Sequence, residues 1–136
     1  MEQKAINVSA AFLVKDKKVL IVQRGEKGEY PLKWEFPGGK LLEDEKFDEA
    51  LIRELKEELN LDITVIQEIG SVEFDKEDLV ILVMFILVEG DTSKIQLKIH
   101  KDMKFVTYDE LKKMDLLIPD KMFVDLYEKE IKKFIS

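Results

Sequence analysis

The chain has 136 residues, with 22 basic and 29 acidic side chains and a formal net charge of −7. This length suits a single domain over residues 1–136 with its own hydrophobic core. The absence of cysteine excludes disulfides, thiolate metal sites and a cysteine nucleophile, and one histidine, His100, excludes a zinc site built on several histidines.

The acidic balance also bears on partners and location. A nucleic-acid polymer binds basic surfaces, so we expect none here, although a single nucleotide held through a metal ion stays open. The N-terminal sequence lacks the basic and apolar regions of a signal peptide, and the longest apolar run, residues 79–88, is too short to cross a bilayer. We expect a soluble, cytoplasmic protein without a membrane partner, either a monomer or a homodimer.

The first quarter of the chain predicts a β-hairpin followed by a loop. Apolar and β-branched residues at 6–14 and 19–23 predict two strands joined by a polar turn. Glycine and proline at 24–31 predict a loop, and residues 33–36 should be extended because they precede Pro37. The glycines at 38 and 39 then predict a turn in which the backbone can approach a ligand closely.

An acidic amphipathic helix is predicted next, beginning near residues 44–48 and ending near residue 59. Asp44 is the expected N-cap, and Asn60 is the expected left-handed residue that ends the helix. Apolar residues four apart predict a stripe that packs on the sheet: Phe47, Leu51, Leu55 and Leu59, with Ile52 beside them.

The second half of the chain predicts further strands and two helices. Residues 63–74 predict a strand interrupted at Gly70, the wholly apolar run 79–88 predicts a central strand buried on both faces, and the alternation at 94–99 predicts another strand. Residues 105–106 predict a short extended piece.

Thr107 and Glu110 have capping-box spacing at the start of a short helix, and a final helix should run from Pro119 or Asp120 to about Phe134. The irregular order of strands and helices predicts an α/β (α+β) fold, a mixed sheet covered by helices on both faces.

Glu54, Glu57 and Glu58 are the most informative residues of the chain. Their spacing of three and four places them on one face of the predicted helix, where like charges repel by about 0.2–0.5 kcal/mol per pair. A bound divalent cation relieves that repulsion, and Mg²⁺ takes carboxylate oxygens together with water and phosphates. The pattern indicates a metal site that works on phosphates; the alternative is a solvated face with ion pairs such as Glu49–Arg53.

Residues 39–61 resemble the Nudix box, Gly-x5-Glu-x7-Arg-Glu-apolar-x-Glu-Glu-x-Gly-apolar. Only Asn60 departs, standing where the family has glycine; the matching residues are Gly39, Glu45, Arg53, Glu54, Leu55, Glu57, Glu58 and Leu61. The preceding segment 34–40, Trp-Glu-Phe-Pro-Gly-Gly-Lys, is similar to that of MutT-like and CTP-pyrophosphohydrolase-like members. The resemblance implies a single Nudix hydrolase domain, an α/β/α sandwich with a mixed sheet flanked by helices.

The resemblance also implies a role for each residue of the box. Glu57 and Glu58, with the carbonyl of Gly38, would hold Mg²⁺ or Mn²⁺, and Glu54 would bind metal or act as the base that activates water. Arg53 would pair with Glu45 and hold the geometry between the loop and the helix.

Residues other than the fixed positions of the box motif would bind the substrate. Arg24 and Lys40 stand where MutT-like proteins have phosphate-facing cations, although each can also be a plain surface cation. Trp34 and Phe36 belong to the segment expected to contribute to specificity, although packing is the more common role of a tryptophan such as Trp34.

Two aspartates are further candidates for the site. Asp120 is similar to a loop residue that hydrogen-bonds the base in purine-selective relatives, and it is equally suited to be the N-cap of the final helix. Asp102 is the nearest acidic residue to a position where many relatives carry a further metal-facing glutamate.

The resemblance thus predicts Mg²⁺-dependent hydrolysis of a nucleoside triphosphate to a monophosphate and pyrophosphate, with 8-oxo-dGTP or a CTP-like substrate and a role in nucleotide pool sanitation. Metal ions and a carboxylate base suffice for this reaction, so no nucleophilic side chain is required. The alternatives are hydrolysis of ADP-ribose or another nucleoside diphosphate-X, and a non-catalytic module that senses a nucleotide; the intact carboxylates argue against the module.

Overall fold

A computed structural model describes residues 4–135, which contain a mixed sheet and four α-helices. The strands are β1 (Lys4–Lys15), β2 (Lys18–Gln23), β3 (Trp34–Glu35), β4 (Gly38–Lys40), β5 (Ile63–Lys76), β6 (Leu79–Gly90) and β7 (Asp102–Val106). The helices are α1 (Phe47–Leu59), α2 (Tyr108–Lys113), α3 (Ile118–Leu126) and α4 (Glu128–Phe134). No helix within the described range is long and apolar enough to cross a membrane.

The sheet has the strand order β3-β2-β1-β6-β5, with β4 added on β1 and β7 added on β2. Strands β1 and β6 run parallel through the centre, and the other pairs are antiparallel. Alternation along the strands sends side chains to two hydrophobic clusters, one on each face. This confirms the predicted hairpin and the predicted central strand.

Helices cover both faces of the sheet, which confirms the predicted sandwich. On one face, the apolar stripe of α1 packs on β1, and Leu51, Leu55 and Leu59 are fully buried. On the other face, α3 closes an aromatic core in which the rings of Phe85 and Phe123 stack with their centroids 3.9 Å apart.

Strand β5 is interrupted near Gly70, as predicted, and Tyr127 occupies the interruption. The register with β6 shifts between Val65 and Gln67 and again between Glu68 and Gly70. A Cβ atom on Gly70 would collide with the ring of Tyr127. The Tyr127 hydroxyl accepts a hydrogen bond from the Ser71 N–H at 3.1 Å and donates one to the Ser71 carbonyl at 2.8 Å, so it satisfies backbone groups next to the irregularity.

The strand predicted at residues 94–99 is wrong. Thr92–Lys94 forms a 3₁₀ turn. The backbone after it donates hydrogen bonds to carbonyl groups at the C-terminal end of α1. The N–H of Gln96 donates to the Leu59 carbonyl at 2.9 Å, and that of Lys98 donates to the Glu58 carbonyl at 3.3 Å. The alternation arises because this irregular segment packs Ile95 and Leu97 against the cluster under α1 while its other residues face outward.

The N-terminus of α1 also differs from the prediction. Its N-cap is Lys46, whose N–H donates to the Glu49 carboxylate at 2.9 Å, and Asp44 lies in the preceding turn with a left-handed φ of 67°. Ile52 is 43% exposed and does not join the buried stripe. The left-handed Asn60 at the C-terminus is confirmed, with φ 53°.

The final helix is divided into α3 and α4 at Tyr127, whose φ of −110° departs from helical geometry. Helix α3 begins after Leu117, so Asp120 lies inside its first turn and is not its N-cap. The capping box of Thr107 and Glu110 at the start of α2 is confirmed.

We expect Tyr127→Phe to lower the free energy of unfolding by about 1–3 kcal/mol, because the backbone groups of Ser71 lose their partner while the ring stays in place. Urea denaturation measures the loss. Ser71→Ala is the matched control, since both hydrogen bonds use the Ser71 backbone, and it should stay within about 0.5 kcal/mol of the wild type. Equal stability of Tyr127→Phe and the wild type would show that the hydroxyl does not hold the irregularity.

Candidate active site

Gly38 and Gly39 form part of strand β4, which pairs with β1, and not the turn predicted from the sequence. The lack of side chains at these two residues lets the backbone pass closely between β1 and α1. A Cβ atom on Gly38 would collide with the carbonyl oxygen of Ser9, which belongs to the backbone and cannot move aside. A Cβ atom on Gly39 would lie 2.5 Å from Cδ of Glu54. The Glu54 carboxylate therefore contacts the backbone of β4 directly.

Arg53 binds the carboxylates next to β4. Its Nε and Nη2 atoms bind both oxygens of Glu45, at 2.7 and 2.9 Å, and Nη2 also donates to the carbonyl of Lys40 at 3.1 Å. Its Nη1 atom donates to Glu54 at 2.9 Å and to Glu57 at 3.3 Å. Hydrogen bonding to Arg53 lowers the pKa of Glu45, so the pair is ionised and braces the loop against the helix.

Glu58 lies beside Glu54, and its pKa is raised far above the usual value of a glutamate. Burial is the largest of the causes that together raise the pKa of Glu58 to about 8; the others are a hydrogen bond to Glu54 and the charges of Glu54, Glu35 and Glu57. Two carboxyl groups this close favour sharing a proton or binding a cation. The repulsion expected from the sequence is therefore present in the fold.

The donor set fits a divalent cation. Glu54 and Glu58 present adjacent carboxylates, and the carbonyl of Gly38 would add a hard oxygen of the kind that Mg²⁺ accepts. Within residues 4–135, however, no group of three or more acidic or histidine side chains converges on one point, because Glu57 is turned toward Arg53. The Glu57 side chain is 59% exposed, so a change of rotamer is free to bring it to the other two.

Glu35 is a further acidic residue of the site that sequence reasoning did not single out. Arg24 Nη1 donates to both of its oxygens, at 3.1 and 3.2 Å, and Arg24 Nε donates to the carbonyl of Glu29 at 2.9 Å. Burial raises the pKa of Glu35, and Arg24 opposes that shift. The sequence did hold a signal for Glu35, since it is a charged residue between two aromatic residues, Trp34 and Phe36. Alternation along a strand sends its side chain to the face opposite theirs.

Asp120 is almost fully buried, with 4% of its surface exposed. Burial, and then the charge of Glu35, raise the pKa of Asp120 well above its usual value, while the N–H groups of Phe36 and of Asp120 itself oppose the shift. Since Glu35 raises the pKa of both Asp120 and Glu58, these residues form one acidic cluster, defined here as Glu35, Glu54, Glu58 and Asp120.

The aromatic residues predicted to meet the substrate are mostly packed. Phe36 is 3% exposed, and its ring centroid lies 5.8 Å from that of Phe85 and 5.7 Å from that of Phe123. Trp34 is 9% exposed, with Nζ of Lys104 lying 5.2 Å from the centroid of its ring. The Phe36 ring thus belongs to the core, and Trp34 presents only a small part of its surface.

The remaining predicted residues lie at the edges of the site. Lys40 is exposed at the end of β4. Asp102 is exposed at the start of β7, and its carboxylate accepts a hydrogen bond from the N–H of Met103 at 2.7 Å. Burial lowers the pKa of His100, with a further contribution from Arg24, which places this histidine near the loop that follows β2.

Comparison with known proteins identifies the family. Residues 3–127 match the NUDIX domain. The chain is 38% identical over 89 residues to an 8-oxo-dGTP diphosphatase of Proteus vulgaris, covering 65% of this chain and 80% of that protein. It is 43% identical over 68 residues to the CTP pyrophosphohydrolase of Escherichia coli K12, covering 50% of each.

The fold is likewise similar to that of a MutT protein from Methanosarcina mazei Go1, with a TM-score of 0.81 and 25% sequence identity over 97% of this chain and 99% of that one. The family match spans most of the chain, and Arg53 joins the acidic residues of the box on α1 to Glu45 in the loop between β4 and the helix. The protein therefore belongs to the Nudix family of hydrolases.

Proposed function

We propose that the protein hydrolyses a phosphoanhydride bond of a nucleoside triphosphate in a Mg²⁺-dependent reaction, releasing a nucleoside monophosphate and pyrophosphate. The observation that carries the proposal is the Glu54–Glu58 pair, held on Gly39 by Arg53 with the pKa of Glu58 raised to about 8. Such a pair favours a bound cation next to an available carboxylate base. The names of the two relatives, an 8-oxo-dGTP diphosphatase and a CTP pyrophosphohydrolase, support the substrate class.

Each residue of the box then has a chemical task. Glu57, Glu58 and the Gly38 carbonyl would hold Mg²⁺ or Mn²⁺, which supplies neutralisation of phosphate oxygens and activation of water. Glu54, beside Glu58, would bind the metal as well or would take a proton from the attacking water as the P–O bond to the leaving group breaks. Arg53 keeps that carboxylate in place through its bond at 2.9 Å.

The two cations proposed to contact phosphate, Lys40 and Arg24, contribute differently. Lys40 is exposed, and only its backbone carbonyl accepts a hydrogen bond from Arg53. Its ammonium group can therefore contact a phosphate. Arg24 is already paired with Glu35. Its contact with a phosphate requires sharing the guanidinium between Glu35 and the substrate, which would couple phosphate binding to the acidic cluster.

Glu35 and Asp120 support recognition of a base that presents a hydrogen-bond donor beside an acceptor. Burial and the charge of Glu35 raise the pKa of Asp120 well above its usual value, so Asp120 favours retaining its proton, while Arg24 binds both oxygens of Glu35. A protonated carboxyl group offers a donor as well as acceptors, and a carboxylate offers acceptors. The Watson–Crick edges of guanine-like and cytosine-like bases each place a donor beside an acceptor, which accommodates 8-oxo-dGTP or a CTP-like substrate.

We expect Glu54→Gln and Glu58→Gln each to reduce turnover by at least about 10²-fold, because each removes a charge that the metal or the proton transfer requires. Pyrophosphate release from a panel of nucleotides with Mg²⁺ measures the effect, and excess EDTA should abolish it in the wild type.

Glu49→Gln is the matched control for these two variants. Glu49 lies on the same helix, and its cap bond to Lys46 survives the change because the glutamine oxygen also accepts. Turnover near the wild-type value in both site variants, or full wild-type activity in excess EDTA, would contradict the proposal.

Asp120→Ala should change the order of preferred bases more than it changes kcat, because Asp120 belongs to the acidic cluster but is not among the residues that Arg53 binds. The ratio of kcat/KM for 8-oxo-dGTP to that for CTP measures the preference. Asp125→Ala, an exposed aspartate on the same helix, is the control. An unchanged substrate order would limit Asp120 to a structural role.

A further inference from the structure

Ser9 carries a buried hydroxyl group that the proposed reaction does not use. The residue is 0% exposed, and among residues 4–135 its Oγ atom has no hydrogen-bond partner. An unsatisfied buried polar group costs about 1–3 kcal/mol, and for that reason such groups are rare in folded proteins. The position of Ser9 relative to the site gives a reason for its presence.

Ser9 on β1 is paired directly with Gly39 on β4. Paired residues of antiparallel strands send their side chains to the same face, with Cβ atoms about 4.5–5.5 Å apart. The Cβ position of Gly39 lies 2.5 Å from Cδ of Glu54. The Ser9 hydroxyl is therefore directed into the space next to the Glu54 carboxylate.

The neighbours of Ser9 agree with this direction. Ala11, two residues along β1, packs in the cluster under α1, whereas Ala10 packs in the cluster on the opposite face. Met84, paired with Ser9 on β6, also packs on the α1 side. Neither alanine nor methionine offers a strong acceptor, whereas the Glu54 carboxylate does.

Glu54 has an oxygen available for this bond. Its Oε1 atom accepts from Nη1 of Arg53 at 2.9 Å. Both oxygens lie close to the Cβ position of Gly39, Oε2 at 2.7 Å and Oε1 at 2.8 Å, on the strand to which Ser9 is paired. Small rotations about the side-chain bonds of Ser9 and Glu54 can bring Oγ within hydrogen-bond distance.

We infer that Ser9 is a positioning residue of the active site, which donates a hydrogen bond to Oε2 of Glu54 when that carboxylate is engaged in the reaction. Arg53 and Ser9 then hold the two oxygens of Glu54 from two directions and fix the plane of the carboxylate. The inference rests on the proposed function, in which Glu54 binds metal or takes the proton from water.

The test titrates Mn²⁺ into the metal-depleted full chain by isothermal calorimetry and measures kcat and KM for the preferred nucleotide. We expect Ser9→Ala to weaken Mn²⁺ binding and lower kcat by at least about tenfold each, as is usual for residues that orient metal ligands, with KM for the nucleotide unchanged. Ser9→Cys keeps a similar volume with a weaker donor and should fall between Ser9→Ala and the wild type.

Ser71→Ala is the matched control. Ser71 is paired with Met84, which is paired with Ser9, so the two serines share one row and one face of the sheet, two strands or about 10 Å apart. The control removes a hydroxyl from the same row without approaching Glu54. We expect its Mn²⁺ affinity and kcat to equal those of the wild type.

Three results would overturn the inference. Ser9→Ala with wild-type Mn²⁺ affinity and kcat would show that the hydroxyl is only tolerated, and its removal would then leave stability unchanged or raised. Equal losses in Ser9→Ala and Ser71→Ala would show a general effect on the sheet. If Ser9→Ala does not fold, the third such result is a Ser9→Cys protein with the Mn²⁺ affinity and kcat of the wild type.

The wild-type measurements separate this inference from the proposed function. Wild-type protein that neither binds Mn²⁺ nor hydrolyses nucleotides would remove the proposed function before any variant is compared. A wild type that binds and hydrolyses, next to an unaffected Ser9→Ala, would remove the inference alone.

Discussion

The active site depends on one close contact, that of the Glu54 carboxylate with the backbone of Gly39. A side chain at residue 39 would occupy the space that the carboxylate fills. The contact places α1 against β4 and β1, so the position of Glu58, one helical turn further on, follows from it. Arg53 maintains the contact because its guanidinium binds Glu54 on the helix and Glu45 on the loop at once.

This arrangement concentrates negative charge that two arginines only partly balance. Arg53 compensates Glu45 and Glu54, and Arg24 compensates Glu35, but burial still raises the pKa of Glu58, Glu35 and Asp120. A divalent cation relieves this repulsion and brings phosphate oxygens with it. The repulsion among these carboxylates lowers the stability of the fold. The same concentration of negative charge would bind a metal ion, and through it a nucleotide.

Local sequence patterns were enough to predict the elements whose conformation depends on residues close together in the chain. The stripe of α1, the end of that helix at Asn60, the capping box at Thr107 and the buried strand β6 were predicted correctly for this reason. The resemblance of residues 39–61 to the Nudix box identified the family for the same reason, because the box is a local motif.

The errors arose where distant parts of the chain decide the conformation. The segment 94–99 alternates like a strand, but its backbone bonds the end of α1. The position of Asp120 follows from where α3 begins, not from its suitability as a cap. Glu35 and Ser9 gain their meaning only from the pairing of β3 with β2 and of β1 with β4, which no local pattern reveals.

The contact at Gly39 is tested most directly by Mn²⁺ titration and nucleotide hydrolysis with Gly39→Ala. The atoms that an alanine Cβ would meet belong to the flexible Glu54 side chain, so the variant should fold with its carboxylate displaced. Gly25→Ala is the control, because its Cβ would lie an ordinary 3.9 Å from the Ile99 carbonyl oxygen. We predict that Gly39→Ala loses at least about tenfold in both Mn²⁺ affinity and turnover while Gly25→Ala matches the wild type. A folded Gly39→Ala protein with wild-type affinity and turnover would contradict the account.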